Sequence, residues 1–352
     1  SPRLPRMSLR NTLLPVLLVG LIASLAYTNF AQASNGEAMT KAADAYLATL
    51  NDDQRAKSQL DFDTPKRVDW HFIPIEERKG LKIRNMNDKQ REAAHALLRT
   101  SLSELGYSKA TKIMELEEVL AQLEGDTEHA KRDPLKYYFT VFGSPAADSR
   151  WGLSVEGHHL SFNYVVDKNQ VVASTPQFMA ANPTKVAKTY DTTPLLKKGE
   201  QVLAAEEQLA FELVNSLDEK QRAAAIIADK APREIRAAGE AQPPQEKPVG
   251  LSVNRLNEKQ EEILEKLINE YISAMPSDVA AERRKEIADT NSKVHFAWAG
   301  ATKPGIGHYY RVQGPTFLIE FVNTQPDAAG NPASHIHFVW RGPRGDFRIE
   351  SK

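Results

Sequence analysis

Gly80-Leu81-Lys82-Ile83-Arg84-Asn85-Met86-Asn87-Asp88-Lys89-Gln90 returns, 170 residues later, as Gly250-Leu251-Ser252-Val253-Asn254-Arg255-Leu256-Asn257-Glu258-Lys259-Gln260. Each copy ends in Asn-x-x-Gln, a close variant of the capping box. There the Asn side chain accepts from the third helical residue and the Gln side chain reaches back to the cap. The same box opens at Asn51 to Gln54 and at Asp218 to Gln221, and Leu50, Met86, Leu217 or Leu256 stands just ahead of each as a hydrophobic staple. The helix starts therefore fall into two matching pairs.

Working outward, Lys136-Tyr137-Tyr138-Phe139-Thr140-Val141-Phe142-Gly143 matches Lys293-Val294-His295-Phe296-Ala297-Trp298-Ala299-Gly300 at an offset of 157, and Val155 to Tyr164 matches Val312 to Phe321 at the same offset. Helical stripes (Leu97, Leu98 and Leu102; Leu264, Leu267, Ile268 and Tyr271) precede these strand-like runs. The pattern predicts an α+β fold made of two homologous halves by internal duplication, each with helices followed by antiparallel strands, the halves sharing one core. The copies run from about 45 to 170 and from 212 to 325, inside halves spanning 34–200 and 201–352. The Pro-rich stretch from Lys230 to Val249 reads as a loop, and Val172 to Pro194 as a wrap between the copies.

Ahead of the first half, Arg3, Arg6 and Arg10 precede an apolar run from Leu13 to Tyr27, and Ala31-Gln32-Ala33 supplies a small-x-small cleavage pattern. Residues 1–33 thus read as a secretory signal peptide cleaved before Ser34. The other reading is an uncleaved anchor, but the run is shorter than the ~20 residues of a bilayer span. The expectation is an exported protein, periplasmic or extracellular, with no stable membrane anchor after cleavage. It has no cysteine, hence no disulfide, no lipidated Cys and no thiolate ligand. Lys plus Arg is 45 against Asp plus Glu 46, for a net charge of -1. A near-neutral chain sets up no broad field for nucleic acid, so that partner is excluded and a small molecule or metal ion is expected.

A duplicated chain carries its own control: polar residues present in one copy only are candidates for function. His158 and His159 align with Pro315 and Thr316, and the His335-x-His337 pair has no counterpart. In a strand, His335 and His337 leave the same face, with Val339 and Arg341. Reading Val155 to Tyr164 as one strand puts His159, Ser161 and Asn163 on one face, unless a bulge at Gly157 inverts the parity. Glu156, His158, Leu160, Phe162 and Tyr164 take the other. Glu320 joins the polar set from the second copy. Two histidines and a carboxylate (His335, His337 and Glu320), with His159 as a fourth ligand, suit Zn, Cu, Ni or Fe. The alternative is a polar network of hydrogen-bonded imidazoles. Glu156, on an otherwise apolar face, is a candidate general base with a raised pKa, unless it pairs with Arg150 or Arg311. His158 is a candidate catalytic group or a satisfied core histidine, and His308 a further site candidate or the edge of a loop. No G-x-S-x-G elbow, P-loop, dinucleotide turn, H-E-x-x-H helix or EF-hand loop is present.

The runs Glu156-Gly157-His158-His159-Leu160-Ser161, Phe296-Ala297-Trp298-Ala299-Gly300, Tyr309 to Glu320 and His335-Ile336-His337-Phe338-Val339-Trp340-Arg341 together resemble a family of bacterial exported proteins known only as a domain of unknown function. The resemblance covers nearly the whole mature chain and implies that the motif-bearing strands form one module. It implies no activity. The chain departs from that family in its longer turn from Pro326 to Pro332. The functional expectation is an exported protein with a His/Glu transition-metal site serving hydrolytic or redox chemistry. The alternative is a metal-free periplasmic ligand-binding or interaction module.

Overall fold

All four capping boxes form, and their glutamines do more than cap. In the computed structural model, which describes residues 34–349, Ser34 caps α1 (Asn35–Ala48). A reciprocal box at Asn51 and Gln54 then starts α2 (Asp52–Ser58), which runs into β1 (Gln59–Leu60). After β2 (Leu81–Lys82) come α3 (Asp88–Ser101) and α4 (Glu104–Glu124). The strands β3 (Tyr138–Phe142), β4 (Arg150–Gly157), β5 (Leu160–Asp167), β6 (Gln170–Ala173) and β7 (Gln177–Ala181) follow. Next come α5 (Ala204–Ser216), α6 (Glu219–Ala225), β8 (Ile226–Ala228), β9 (Leu251–Ser252), α7 (Glu258–Ile272) and α8 (Ser277–Ala288). It closes with β10 (His295–Gly300), β11 (His308–Gln313), β12 (Leu318–Asn323) and β13 (Ile336–Arg341).

The box glutamines of α2 and α3 meet: Gln54 Nε2 donates to Gln90 Oε1 at 3.1 Å and Gln90 Nε2 to Gln54 Oε1 at 2.7 Å. Gln221 and Gln260 do the same for α6 and α7 at 2.8 and 2.9 Å. An amide carries donor and acceptor together, so it closes such a pair where glutamate would set carboxylate against carboxylate.

The fold is α+β, with the strands in one mixed sheet of order β1-β3-β4-β5-β7-β13-β12-β11-β10-β8. Only β1 on β3 and β8 on β10 are parallel; the other described pairings are antiparallel. One face of the sheet meets the helices across an apolar cluster that runs unbroken from Tyr46 and Leu97 through Trp151 and Phe162 to Tyr271, Phe338 and Trp340. The opposite face is covered by two irregular straps, residues 61–80 between β1 and β2 and 229–250 between β8 and β9. Trp70 and Phe72 from the first and Ile235 from the second close a smaller core over Phe178, Val322 and Val339. Phe72 stacks on Phe178 at 3.8 Å, a contact worth about 1 kcal/mol beyond its buried area. From Ser34 onward the chain is one compact unit. Among the described residues no helix is long and apolar enough to cross a membrane. The signal peptide expected at 1–33 lies outside the described residues.

Three expectations change. Val155 to Tyr164 is not one strand but the β4–β5 hairpin, turning at His158 and His159, because Gly157 pairs with Leu160. The turn inverts the expected parity: Leu153 and Val155 face the helices while Glu156 faces the straps. Val172 to Pro194, expected as a wrap between two copies, instead contributes a strand. Its strand β7 enters the middle of the sheet between β5 and β13. The Pro-rich stretch is irregular as expected, yet it buries Ile235 and forms a wall of the site described next.

Candidate metal centre

The β4–β5 turn and β13 are far apart in sequence, and β7 brings them together. Ala180 of β7 sits opposite His337 in register and donates its N–H to the His159 carbonyl at 2.9 Å. On the other side His159 N donates to Phe72 O of the first strap, also at 2.9 Å. So fixed, His159 adopts φ 68°, a left-handed conformation that costs an L-residue about 1 kcal/mol. Gly157 is required next to it, since a Cβ there would lie 2.2 Å from the Tyr137 ring.

The result is a cluster of three imidazoles. His335 Nε2 lies 2.9 Å from His159 Nε2 and 2.9 Å from His337 Nε2. His159 and His337 are buried and His335 partly so. The edges of Phe72 and Phe178 wall the His337 ring at 5.1 and 5.5 Å. As predicted, His335 and His337 share a face, and it is the strap side, since Ile336, Phe338 and Trp340 enter the helix-side core. These three histidines form a buried group able to hold a metal ion.

Hydrogen bonds fix the tautomers. His337 Nδ1 lies 2.7 and 2.9 Å from the two oxygens of Glu234 in the second strap. A carboxylate only accepts, so Nδ1 carries the proton and Nε2 of the neutral ring holds a lone pair. His335 Nδ1 faces the Asn182 amide at 3.3 Å, and Asn182 Oδ1 is buried without a partner. Turning that amide by 180° gives Oδ1 the Nδ1–H of His335 and leaves a second lone pair on His335 Nε2. Lone pairs brought this close repel unless a proton or cation sits between them.

Burial disfavours added positive charge here. It holds His159 well below the usual imidazole range, with His158, His335, His337 and Arg132 adding to the effect. Burial, then His337, His158 and Arg132, pushes His335 down to about 2. Both rings stay neutral at neutral pH, the ligand form. For the metal-free protein the sign follows. The unfolded chain takes up protons below about 6.5 that the folded rings refuse, so stability is unaffected above that pH and falls below it. His335 alone costs about 2 kcal/mol at pH 5. Urea midpoints of wild type and His335→Gln at pH 7.5 and 5 test this; an equal loss in both proteins would contradict it.

Beside this cluster lies a second group. His158 Nδ1 is 2.5 Å from Glu117 Oε1 of α4 and 3.3 Å from an Arg132 Nη. The His158 ring lies over that of His159 at 3.6 Å, and Tyr137 OH donates to the His158 carbonyl at 2.9 Å.

Other predicted residues fall elsewhere. Glu320, expected as a metal ligand, is fully buried, but its Oε1 accepts from Arg236 Nε at 2.7 Å and from the Tyr309 hydroxyl. It sits opposite Val339, whereas His337 sits opposite Val322, so strand register separates it from the histidines. The carboxylate beside the cluster is Glu234. Glu156 pairs with Lys79 at 2.7 Å, not with Arg150, which binds Asp167, nor with Arg311. His308 is no loop edge: it opens β11, fully buried, its ring parallel to that of Trp298 at 5.7 Å and its Nδ1 donating to the Ile306 carbonyl at 2.8 Å. Arg341 binds Asp346 and the second strap and does not reach the histidines. Glu117, Asn182 and Glu234 escaped the sequence reading. Glu117 could have been found as a carboxylate among the apolar positions of its helix; Glu234, in an irregular strap, left no signal.

A family model described as a protein of unknown function (DUF3500) matches residues 32–348. No curated protein and no solved structure matches the chain.

Proposed function

We propose that this chain, which belongs to the DUF3500 family of proteins of unknown function, is a metal-binding protein whose ligands are His159, His335 and His337. The observation that carries the reading is the convergence of three Nε2 atoms at 2.9 Å contacts, with Glu234 holding the His337 proton on the far nitrogen. A carboxylate behind a ligating histidine is the usual outer partner of such a ligand. Three imidazoles and no thiolate suit Zn, Cu or Fe, Zn first because the set leaves a position open on a tetrahedral ion. An ion held so supplies Lewis-acid chemistry at that position, which favours hydrolysis of a small molecule over redox work. Glu320 and Glu156 have no part in this reading, each already paired.

A second reading, a metal-free binding module with a hydrogen-bonded histidine trio, draws on the same 2.9 Å contacts, which are also hydrogen-bond lengths. Metal content separates the two. Untagged protein recovered from the periplasm, with Ser34 at its N-terminus, is expected to carry close to one transition-metal ion per chain by mass spectrometry, and His335→Ala with His337→Ala close to none. Near-zero occupancy in both, even after incubation with zinc, would leave the metal-free reading.

The proposal includes an internal duplication and export. What supports duplication is register as well as order. Tyr138 pairs with Glu156 and His295 with Gln313, Val155 with Phe162 and Val312 with Ile319, all at one offset of 157. The reciprocal glutamine pairs, the parallel β1 and β8, and the two straps recur in the same places. In this view the site is asymmetric: His159 lies in the turn of one copy, His335 just before and His337 on the last strand of the other, and Glu234 in the second copy's strap. Export is supported by the charged and apolar pattern of residues 1–33, and by Ser34, which caps α1 and donates its hydroxyl to the Asn169 carbonyl at 2.7 Å.

A further inference from the structure

Next to the histidine trio, a cleft of ≈ 260 Å³ is lined by Arg78, Glu117, Lys131, Lys136, Tyr137 and His158 among others. None of these six is a ligand in the proposed metal centre. At 2.5 Å, against 3.3 Å for the Arg132 Nη1, Glu117 is the nearer partner of His158 Nδ1 and keeps the proton there, which turns the Nε2 lone pair the other way. No described residue bonds that Nε2.

The cations of the lining are under-used and its carboxylates are not. The Lys136 ammonium makes no hydrogen bond or ion pair among the described residues. The Arg78 guanidinium donates only to the backbone carbonyls of His71, at 2.6 Å, and Ile73. Lys131 reaches Glu124 only at 3.4 Å. By contrast Asp133 accepts from Arg84 Nε at 3.0 Å and from Leu135 N at 2.8 Å, and Glu117 is committed to His158. The carboxylate left over is Glu76, which is exposed. A partly enclosed cavity with two cations that have no ion-pair partner among the described residues and one outward lone pair matches a ligand that brings a negative charge and a hydrogen-bond donor.

We propose that this cleft binds a small ligand bearing an anionic oxygen group, a carboxylate or a phosphate, held by Lys136 and Arg78, with His158 Nε2 accepting a hydrogen bond from the same ligand. Its stacking on His159 places the ligand beside the metal centre, but the site stands on its own residues and needs no metal. It is therefore tested on metal-free, full-length mature protein.

The probes are inorganic phosphate and, separately, glycolate, each carrying an anionic oxygen and an O–H donor, and the readout is carbethoxylation of His158 by diethyl pyrocarbonate at constant pH. Modification is resolved by peptide mass spectrometry, with His295 as the internal reference. The expected result is that His158 reacts in the free protein and that one of the two anions protects it. Protection should need at least about tenfold more anion in Lys136→Ala, a change that breaks no side-chain hydrogen bond or ion pair among the described residues. Protection by phosphate identifies a phosphate ligand, and protection by glycolate a carboxylate. An unreactive His158, protection by neither anion, or protection unchanged in Lys136→Ala would overturn the proposal. So would a second equivalent of zinc bound by wild type and lost in Glu117→Gln, because Glu117, His158 and His159 also lie close enough to hold a cation.

Discussion

Zinc supplied at a hundred times its dissociation constant is expected to raise the melting temperature of the wild-type protein by roughly 4 °C. Binding the folded state alone at that excess contributes about 2.7 kcal/mol, and at about 2.1 cal/mol/K of unfolding entropy per residue each kcal/mol moves a chain of this size by about 1.5 °C. His159→Asn should abolish the shift. Asparagine tolerates the left-handed turn that His159 occupies, so the hairpin and its backbone bonds to Phe72 and Ala180 persist while one imidazole is lost. Glu234→Gln should keep the shift but demand about 10–100 times more zinc, the usual cost of removing a carboxylate that orients a ligating histidine. Differential scanning calorimetry at several zinc concentrations reads all three. A shift that survives in His159→Asn would place the ion elsewhere. One that is absent from wild type would remove the metal from the account.

Why those residues and not others were legible in the sequence is a matter of range. A capping box is satisfied within four residues, so the four helix starts could be read from local chemistry and all four form. The shared face of His335 and His337 follows from strand alternation alone, and holds. The fate of Val155 to Tyr164 depended on Gly157 accepting the Tyr137 ring and on a histidine, not the usual glycine or asparagine, taking the left-handed turn position. Nothing local announces that. Glu320 illustrates the same limit from the other side. Its face was read correctly, but its partner, Arg236, comes from an irregular strap far away in sequence. Periodicity is silent about a strap, and with it about Glu234, whose carboxylate completes the His337 side of the cluster.

Arg341 shared a face with the histidines in the sequence reading, and its removal is expected to cost about 3–5 kcal/mol without touching the ligands themselves. The guanidinium and the Asp346 carboxylate are both fully buried and 2.5 Å apart. One Nη donates to Ala237 O at 3.0 Å and the other to Glu240 O at 2.8 Å, while Trp70 Nε1 donates to that same Glu240 carbonyl at 2.8 Å. One arginine therefore ties both straps to the end of β13. Arg341→Met restores much of the volume but leaves Asp346 charged in an apolar setting, and breaking one side of a buried pair is what makes the loss large. Arg341→Met combined with Asp346→Asn should recover part of it, since no unpaired charge remains. Urea unfolding of the two variants and wild type measures the difference. Zinc affinity separates the two roles open to Arg341. As the fastener of the straps, it should weaken zinc binding only in proportion to how far Glu234, three residues before Ala237, is displaced. A variant that folds with wild-type stability yet binds no zinc would instead make Arg341 part of the site.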